Sequence, residues 1–235
     1  MDSLGRVDPS PLSWRWIALA AGILAQASMS SLQQGLPVLG PFLLDTFELS
    51  LPQLGILLAT TTWGGLLTLF AWGRLADVVG ERIVVVAGLS GACLALLLAT
   101  RTGSALQLGL SLALAGAAAS ATIGGSGRAV LGWFPRGQRG FALGIRQMAV
   151  PLGSTLAALT LPFAVIHFGW QSAFLVLAGF TVVGAIAALL GLRPPPRRSM
   201  LHLTPVIQGK QQRRRPLLSP VPPPRPSQTQ PIQHL

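Results

Sequence analysis

Charge is scarce in this sequence. Of its 235 residues only 10% are Asp, Glu, Lys or Arg, and six of those are acidic. A soluble domain of ordinary composition carries about 25% charged residues. With 51% hydrophobic residues and a mean hydropathy of +0.59, most of the chain is suited to lipid rather than water. Cysteine occurs once, as Cys93 within an apolar run, which excludes a disulfide framework and a cysteine-rich metal site. The three histidines, His167, His202 and His234, are too far apart to form a local metal motif. No apolar run alternates with period two, which argues against a β-barrel. Paired carboxylates, an H-E-x-x-H motif and a nucleophile–base pair are all absent from the apolar stretches, so an intramembrane enzyme is not expected, and neither is a cofactor.

The net charge of +11 belongs mostly to the C-terminal end. Residues 193–235 contain eight Lys or Arg, no acid and eleven of the nineteen prolines. Residues 1–192 hold nine basic and six acidic side chains. The basic character is thus a tail property and does not point to nucleic acid. The tail, with Arg213-Arg214-Arg215 and so many prolines, reads as a disordered segment able to touch anionic lipid.

A helix crosses the hydrocarbon core with about 20 apolar residues. Six such runs are present, at about 16–38, 53–72, 82–101, 105–132, 140–164 and 171–192, here numbered spans 1 to 6. The expected organisation is a leader (1–15), a six-span domain (16–192) and the tail (193–235). Ala25-Gln26-Ala27 resembles a signal-peptide cleavage site, but the long leader with Asp2 and Asp8 argues against cleavage. Basic residues set the orientation. Arg6, Arg15, Arg74, Arg82, Arg136, Arg139, Arg193, Arg197 and Arg198 all fall on one side, whereas the other side has Arg101 beside Asp45 and Glu48. Both termini are therefore expected in the cytoplasm, with the chain in the plasma (inner) membrane. Trp14, Trp16, Trp72, Trp133 and Trp170 stand at span ends, as an interfacial belt requires, while Trp63 lies inside span 2.

Between spans 2 and 3 runs Gly73-Arg74-Leu75-Ala76-Asp77-Val78-Val79-Gly80-Glu81-Arg82. It resembles the signature loop of the major facilitator superfamily, G-x-L-A-D-[RK]-x-G-[RK]-[RK]. Gly73, Leu75, Ala76, Asp77, Gly80 and Arg82 match it, while Val78 and Glu81 stand where basic residues are usual. Arg128 to Pro135 followed by Arg139-Gly140-Phe141-Ala142 is similar to the family's link between helices 4 and 5. Gly169-Trp170-Gln171-Ser172-Ala173-Phe174 is similar to its entry into helix 6. The helix-4 pattern R-x-x-Q-G is not matched, since Leu112 stands where its arginine would be. The resemblance covers roughly residues 14–195 and implies an all-α membrane fold, six helices as a three-plus-three inverted repeat, forming the N-terminal half of a transporter. It also implies that the loop latches two halves together in one state of the cycle, with Asp77 as a participant and Arg128 as its structural partner. Family members continue into six more helices; a truncated or frameshifted reading frame is one expectation here, and a non-transporting membrane subunit or remnant is the alternative reading to a transporter.

The resemblance turns spans 1, 2, 4 and 5 toward the other half and a central cavity, and polar residues concentrate on spans 1, 4 and 5. Span 1 carries Gln26, Ser28, Ser30, Ser31, Gln33 and Gln34; span 4 carries Ser111, Ser120, Thr122, Ser126 and Arg128; span 5 carries Arg146, Gln147, Ser154 and Thr155. Gln26, Gln33, Gln34, Arg146 and Gln147 are the candidate substrate residues. Arg146 lies about two turns inside the membrane from Arg139, and a permanent charge at such depth costs roughly 2.5–3.5 kcal/mol. A carboxylate on the solute is one way to compensate it; snorkelling toward the cytoplasm or a pair within the protein is the other reading. No acid lies deep in any span, so no intramembrane carboxylate is available as a proton carrier. Pro151-Leu152-Gly153 is expected to bend span 5, and Gly140 and Gly144 form a G-x-x-x-G face expected to act as a packing seam. The expected partners are the lipid bilayer, a small solute, and either a second half or another copy of the chain.

Overall fold

The computed structural model describes residues 11–123 and 132–193, and every described element is helical. The α-helices are α1 (Pro11–Gly35), α2 (Gly40–Phe47), α3 (Leu51–Val79), α4 (Glu81–Ala99), α5 (Ala105–Ala119), α6 (Arg139–Gln147), α7 (Ala149–Phe168) and α8 (Trp170–Gly191). Span 1 is α1, prolonged by a 3₁₀ turn at Leu36–Leu39 and by α2. Spans 2, 3 and 4 are α3, α4 and α5; span 5 is α6 plus α7; span 6 is α8. Spans 2 to 6 are long and apolar enough to cross a membrane. The 25 residues of α1 suffice in length, and its serines and glutamines lower its hydropathy.

Local signals explain the boundaries. Pro37 and Pro41 interrupt the first span, since proline supplies no N–H and fixes φ. Span 2 starts where Ser50 caps it, the Ser50 N–H donating to Gln53 Oε1 at 2.8 Å. Span 4 repeats the device: Ser104 Oγ accepts from the Gln107 N–H, and the Gly103 N–H donates to Gln107 Oε1 at 3.0 Å. Span 5 breaks at Met148. Pro151 has no N–H to offer the Gln147 carbonyl, so the expected interruption falls one turn before the proline itself.

The spans pack as the inverted repeat demands. Spans 2 and 4 form one close pair and spans 1 and 5 another; span 1 packs on 6, span 3 on 4, and span 3 on 6. Exchanging spans 1, 2 and 3 with 4, 5 and 6 maps 2–4 onto 1–5, 1–6 onto 3–4, and 3–6 onto itself. Small residues set the two crossings. A Cβ on Gly64 would collide with the Ala113 carbonyl oxygen, one on Gly116 with that of Thr61, and one on Gly153 with that of Ala27. The main apolar core joins Leu32, Leu36 and Leu43 of span 1 to Leu57, Leu96, Leu108, Leu161 and Phe174. Leu67 and Phe70 on span 2 and Phe163 on span 5 are well exposed, as lipid-facing or bundle-facing side chains are.

Two expectations require correction. Span 2 does not end at residue 72. Its helix runs on to Val79, so Gly73 to Val79 are helical and the turn is confined to Gly80 (φ 94°). A hydropathy window misses such an extension because Arg74 and Asp77 dilute it. The Gly140/Gly144 seam is also not formed among the described residues: both glycines are exposed, and a Cβ at either would meet nothing within 4 Å. Beyond Arg193 the tail lies outside the described residues.

Candidate functional site

The polar residues of span 1 divide into two sets. Ser28, Ser30 and Ser31 are buried against other helices. Ser28 Oγ donates to the Phe180 carbonyl (2.6 Å), Ser30 Oγ to that of Val150 (2.9 Å) and Ser31 Oγ to that of Gly153 (2.9 Å). These hydroxyls join helices and do not line a cavity. Ser111, Ser120 and Thr122 of span 4 are buried as well, and Thr68 Oγ1 and Trp72 Nε1 both donate to the Ala117 carbonyl, at 2.9 and 2.7 Å. Sequence alone credits Ser28, Ser30, Ser31 and Ser120 to a polar face, because it records polarity without the carbonyl that satisfies it.

The second set is Gln26, Gln33 and Gln34. Gln26 and Gln33 are half-buried and Gln34 is exposed. Gln26 meets Arg146: the Arg146 Nη2 donates to Gln26 Oε1 at 2.8 Å. Arg146 is 8% exposed although it sits in the last turn of α6. Four residues further along each span, Ser30 Oγ donates to the Val150 carbonyl. The two spans thus run parallel in one register, as spans of like parity must. Gln147, next to Arg146, is exposed. Gln33 and Gln34 lie about 10–12 Å further along the span-1 axis, at 1.5 Å per residue. The structure therefore brings Gln26 and Arg146 together and leaves the other three apart from that contact.

In the 73–82 segment, Ala76 is buried beside Val84, Ala121 and Trp72, fixing the span 2–3–4 junction. Leu75, Asp77, Gly80 and Arg82 are exposed and Gly73 is half-buried. Arg128 lies outside the described residues, and with it the expected pair to Asp77. At the same end, a cluster that sequence reading did not assemble joins three distant stretches. The Arg193 guanidinium lies 4.1 Å from the centroid of the Trp14 ring, and the Arg193 carbonyl accepts from Trp133 Nε1 at 3.1 Å. Trp16 packs edge-to-face on Phe134. The tryptophans had read as a belt at the lipid interface; only folding shows that they also clasp the end of span 6. Among the described residues no group of three His, Cys, Asp or Glu could hold a metal ion.

The family model "Major Facilitator Superfamily" matches residues 18–221. The chain belongs to the major facilitator superfamily. An uncharacterised transporter of this type from Mycobacterium tuberculosis is 36% identical over 192 residues, which is 82% of this chain and 43% of that protein. The hexuronate transporter of Escherichia coli K12 is 26% identical over 196 residues, covering 81% of this chain and 44% of its own. The chain spans less than half the length of these relatives. Among solved structures, a bacterial homologue of the human lysosomal transporter Spinster, inward-facing and unoccupied, aligns with a TM-score of 0.69 at 18% identity, over 78% of this chain and 44% of that one. A D-xylose–proton symporter aligns at 0.58 with 15% identity, over 86% of this chain and 53% of its own. At these identities the two structures establish the fold: a multi-pass bundle of transporter type. The expected six-span, all-α family fold is thereby borne out.

Proposed function

We propose that this chain forms the N-terminal bundle of a secondary transporter that moves a small carboxylate-bearing solute by alternating access, in the plasma membrane with both termini cytoplasmic. The observation that carries this reading is Arg146, a permanent cation nearly buried at a helix break inside the bundle, held by the neutral amide of Gln26. An arginine binds a carboxylate through charge-assisted, often bidentate hydrogen bonds. Proteins named hexuronate transporters are among the relatives, and a hexuronate is a sugar carrying one carboxylate, which suits such a site. Alternating access needs two bundles rocking about a site between them. The exposed faces of spans 2 and 5 suit a second bundle, supplied by a further six helices or by another copy.

The test is equilibrium binding of radiolabelled D-glucuronate to membranes carrying the chain, with D-glucose as the neutral comparator. Binding of D-glucuronate that weakens roughly tenfold in Arg146→Lys and more in Arg146→Gln is expected from the loss of one or more charge-assisted bonds. Equal binding in wild type and both variants, or no preference for the acid over D-glucose, contradicts the reading.

A further inference from the structure

The end of the bundle where span 1 begins and span 6 ends gathers three arginines from three separate stretches. Arg15 stands near the start of α1, Arg139 opens α6, and Arg193 follows span 6. Arg139 and Arg193 are exposed and Arg15 is half-buried. Their surroundings are rings and carbonyls. The Arg193 guanidinium lies 4.1 Å from the Trp14 ring centroid, and that of Arg15 lies 5.4 Å from Trp16 and 5.9 Å from Phe134. Arg139 Nε donates to the Phe134 carbonyl at 3.2 Å. Among the described residues none of these three arginines meets a carboxylate. The carbonyls of Phe134 and Arg193 are already engaged, by Arg139 Nε and Trp133 Nε1. The Trp14 Nε1 and Arg15 Nε donors meet no protein acceptor. The cluster thus holds three like charges and a surplus of N–H donors.

We propose that this cluster binds the phosphate of an anionic phospholipid whose acyl chains lie against spans 1 and 6. Stacking on a ring occupies the face of a guanidinium and leaves the N–H groups in its plane to meet a phosphate. Cations brought together without an acid repel one another, and an anion shared between them removes that cost. The level suits a headgroup, since tryptophans at span ends mark the boundary between hydrocarbon and water. The orientation proposed above sets the cluster at the cytoplasmic leaflet, whose surface is negatively charged. What favours a lipid over a soluble phosphate is the apolar surface that continues inward from the arginines. Ile17, just inside Arg15, is 43% exposed, and Leu190, just inside Arg193, is 65% exposed. Gly191 draws the two helices together at that level: a Cβ on it would collide with Ala21 and lie 3.6 Å from Ile17 Cγ2. Donors at the span ends and an apolar wall beneath them match the two parts of a phospholipid.

The experiment follows the full chain in mild detergent by thermal unfolding and by native mass spectrometry. The probes are phosphatidylglycerol, phosphatidylcholine and inorganic phosphate. Phosphatidylglycerol is expected to stay bound in the mass spectrum and, at saturation, to raise the unfolding temperature by roughly 3–5 °C. Phosphatidylcholine has no net charge and inorganic phosphate no acyl chains, so each shifts it by less than about 1 °C. Arg15→Gln combined with Arg193→Gln raises the phosphatidylglycerol concentration needed for the shift at least about tenfold. Arg101→Gln, at the other end of the bundle, leaves the shift unchanged, and so does glutamine at Arg213, Arg214 and Arg215 together. Equal stabilisation by phosphatidylcholine or by inorganic phosphate overturns the proposal. A shift lost in the tail variant but kept in the double variant also overturns it, because the tail's charge then holds the lipid. If the double variant fails to fold, Arg15→Lys combined with Arg193→Lys decides, since it keeps both charges but not the stacked, planar donors. Weaker retention of phosphatidylglycerol in that variant supports the site, and retention equal to wild type overturns it.

Discussion

Gly80 and Gly169 occupy the same place in the two halves of the repeat. Gly80 joins spans 2 and 3 with φ 94° and ψ 149°; Gly169 joins spans 5 and 6 with φ 85° and ψ 166°. In each, the glycine N–H closes the preceding helix on the carbonyl four residues back, Ala76 for one and Val165 for the other. The same turn is thus built at opposite ends of the bundle, which is the inverted repeat reduced to a pair of residues. No other described residue except Glu48 has a positive φ.

That relationship predicts unequal responses to alanine. A Cβ on Gly80 meets nothing within 4 Å and one on Gly169 meets Gln171 Oε1, the far end of a flexible side chain, at 3.3 Å, so the backbone conformation is the main issue at both. Gly80→Ala and Gly169→Ala should each destabilise the folded chain by about 1–2 kcal/mol. Gly73→Ala, at a helical position with open space around it, should instead stabilise by up to about 1 kcal/mol. Thermal unfolding in mild detergent measures all three, and a destabilising Gly73→Ala would mean that span 2 ends before the 73–79 stretch.

The crossing glycines should separate from the exposed ones. Gly64→Ala, Gly116→Ala and Gly153→Ala force backbones apart and should each cost about 1–3 kcal/mol. Gly140→Ala and Gly144→Ala should be neutral or stabilising for the bundle. The same unfolding measurement checks this, and a large loss at Gly140 or Gly144 would point to a contact with a second bundle or copy at that face.

Much of this was legible in the sequence. Six apolar runs and the break near Pro151 follow from length, hydropathy and the chemistry of proline. Three matters were not. The last two turns of span 2 carry Arg74 and Asp77, so hydropathy ends the span early. Ser28, Ser30 and Ser31 look like cavity residues until their carbonyl partners on spans 5 and 6 are known, since those partners are more than a hundred residues away. Gly140 and Gly144 have the spacing of a packing motif, but a motif does not say what faces it. Of the five candidate solute residues, the contact between Gln26 and Arg146 is the one that folding adds.

Orientation gives a further prediction. Thr46, His167 and Gly137 are exposed at span ends. Thr46→Cys and His167→Cys should react with an impermeant thiol reagent applied outside the cell, and Gly137→Cys should not, in a Cys93→Ala background. The reverse pattern places the termini outside.

Asp77 is exposed near the C-terminal end of span 2, and the family resemblance gives it a part in the transport cycle. Asp77→Asn should insert normally and bind D-glucuronate normally, while slowing its uptake at least tenfold wherever uptake can be followed. Uptake at the wild-type rate would leave Asp77 without a part in the cycle.

The central claim is that Arg146 receives the solute's carboxylate, and solid-state NMR can measure that contact. With ¹³C-carboxyl D-glucuronate and ¹⁵N-arginine-labelled chain in bilayers, a charge-assisted pair places the carboxyl carbon about 4 Å from a guanidinium nitrogen. The account predicts a ¹³C–¹⁵N dipolar coupling of that range in the wild-type chain, lost in Arg146→Lys with every other arginine still labelled. A coupling that survives in Arg146→Lys, or none in the wild type with solute bound, would contradict it.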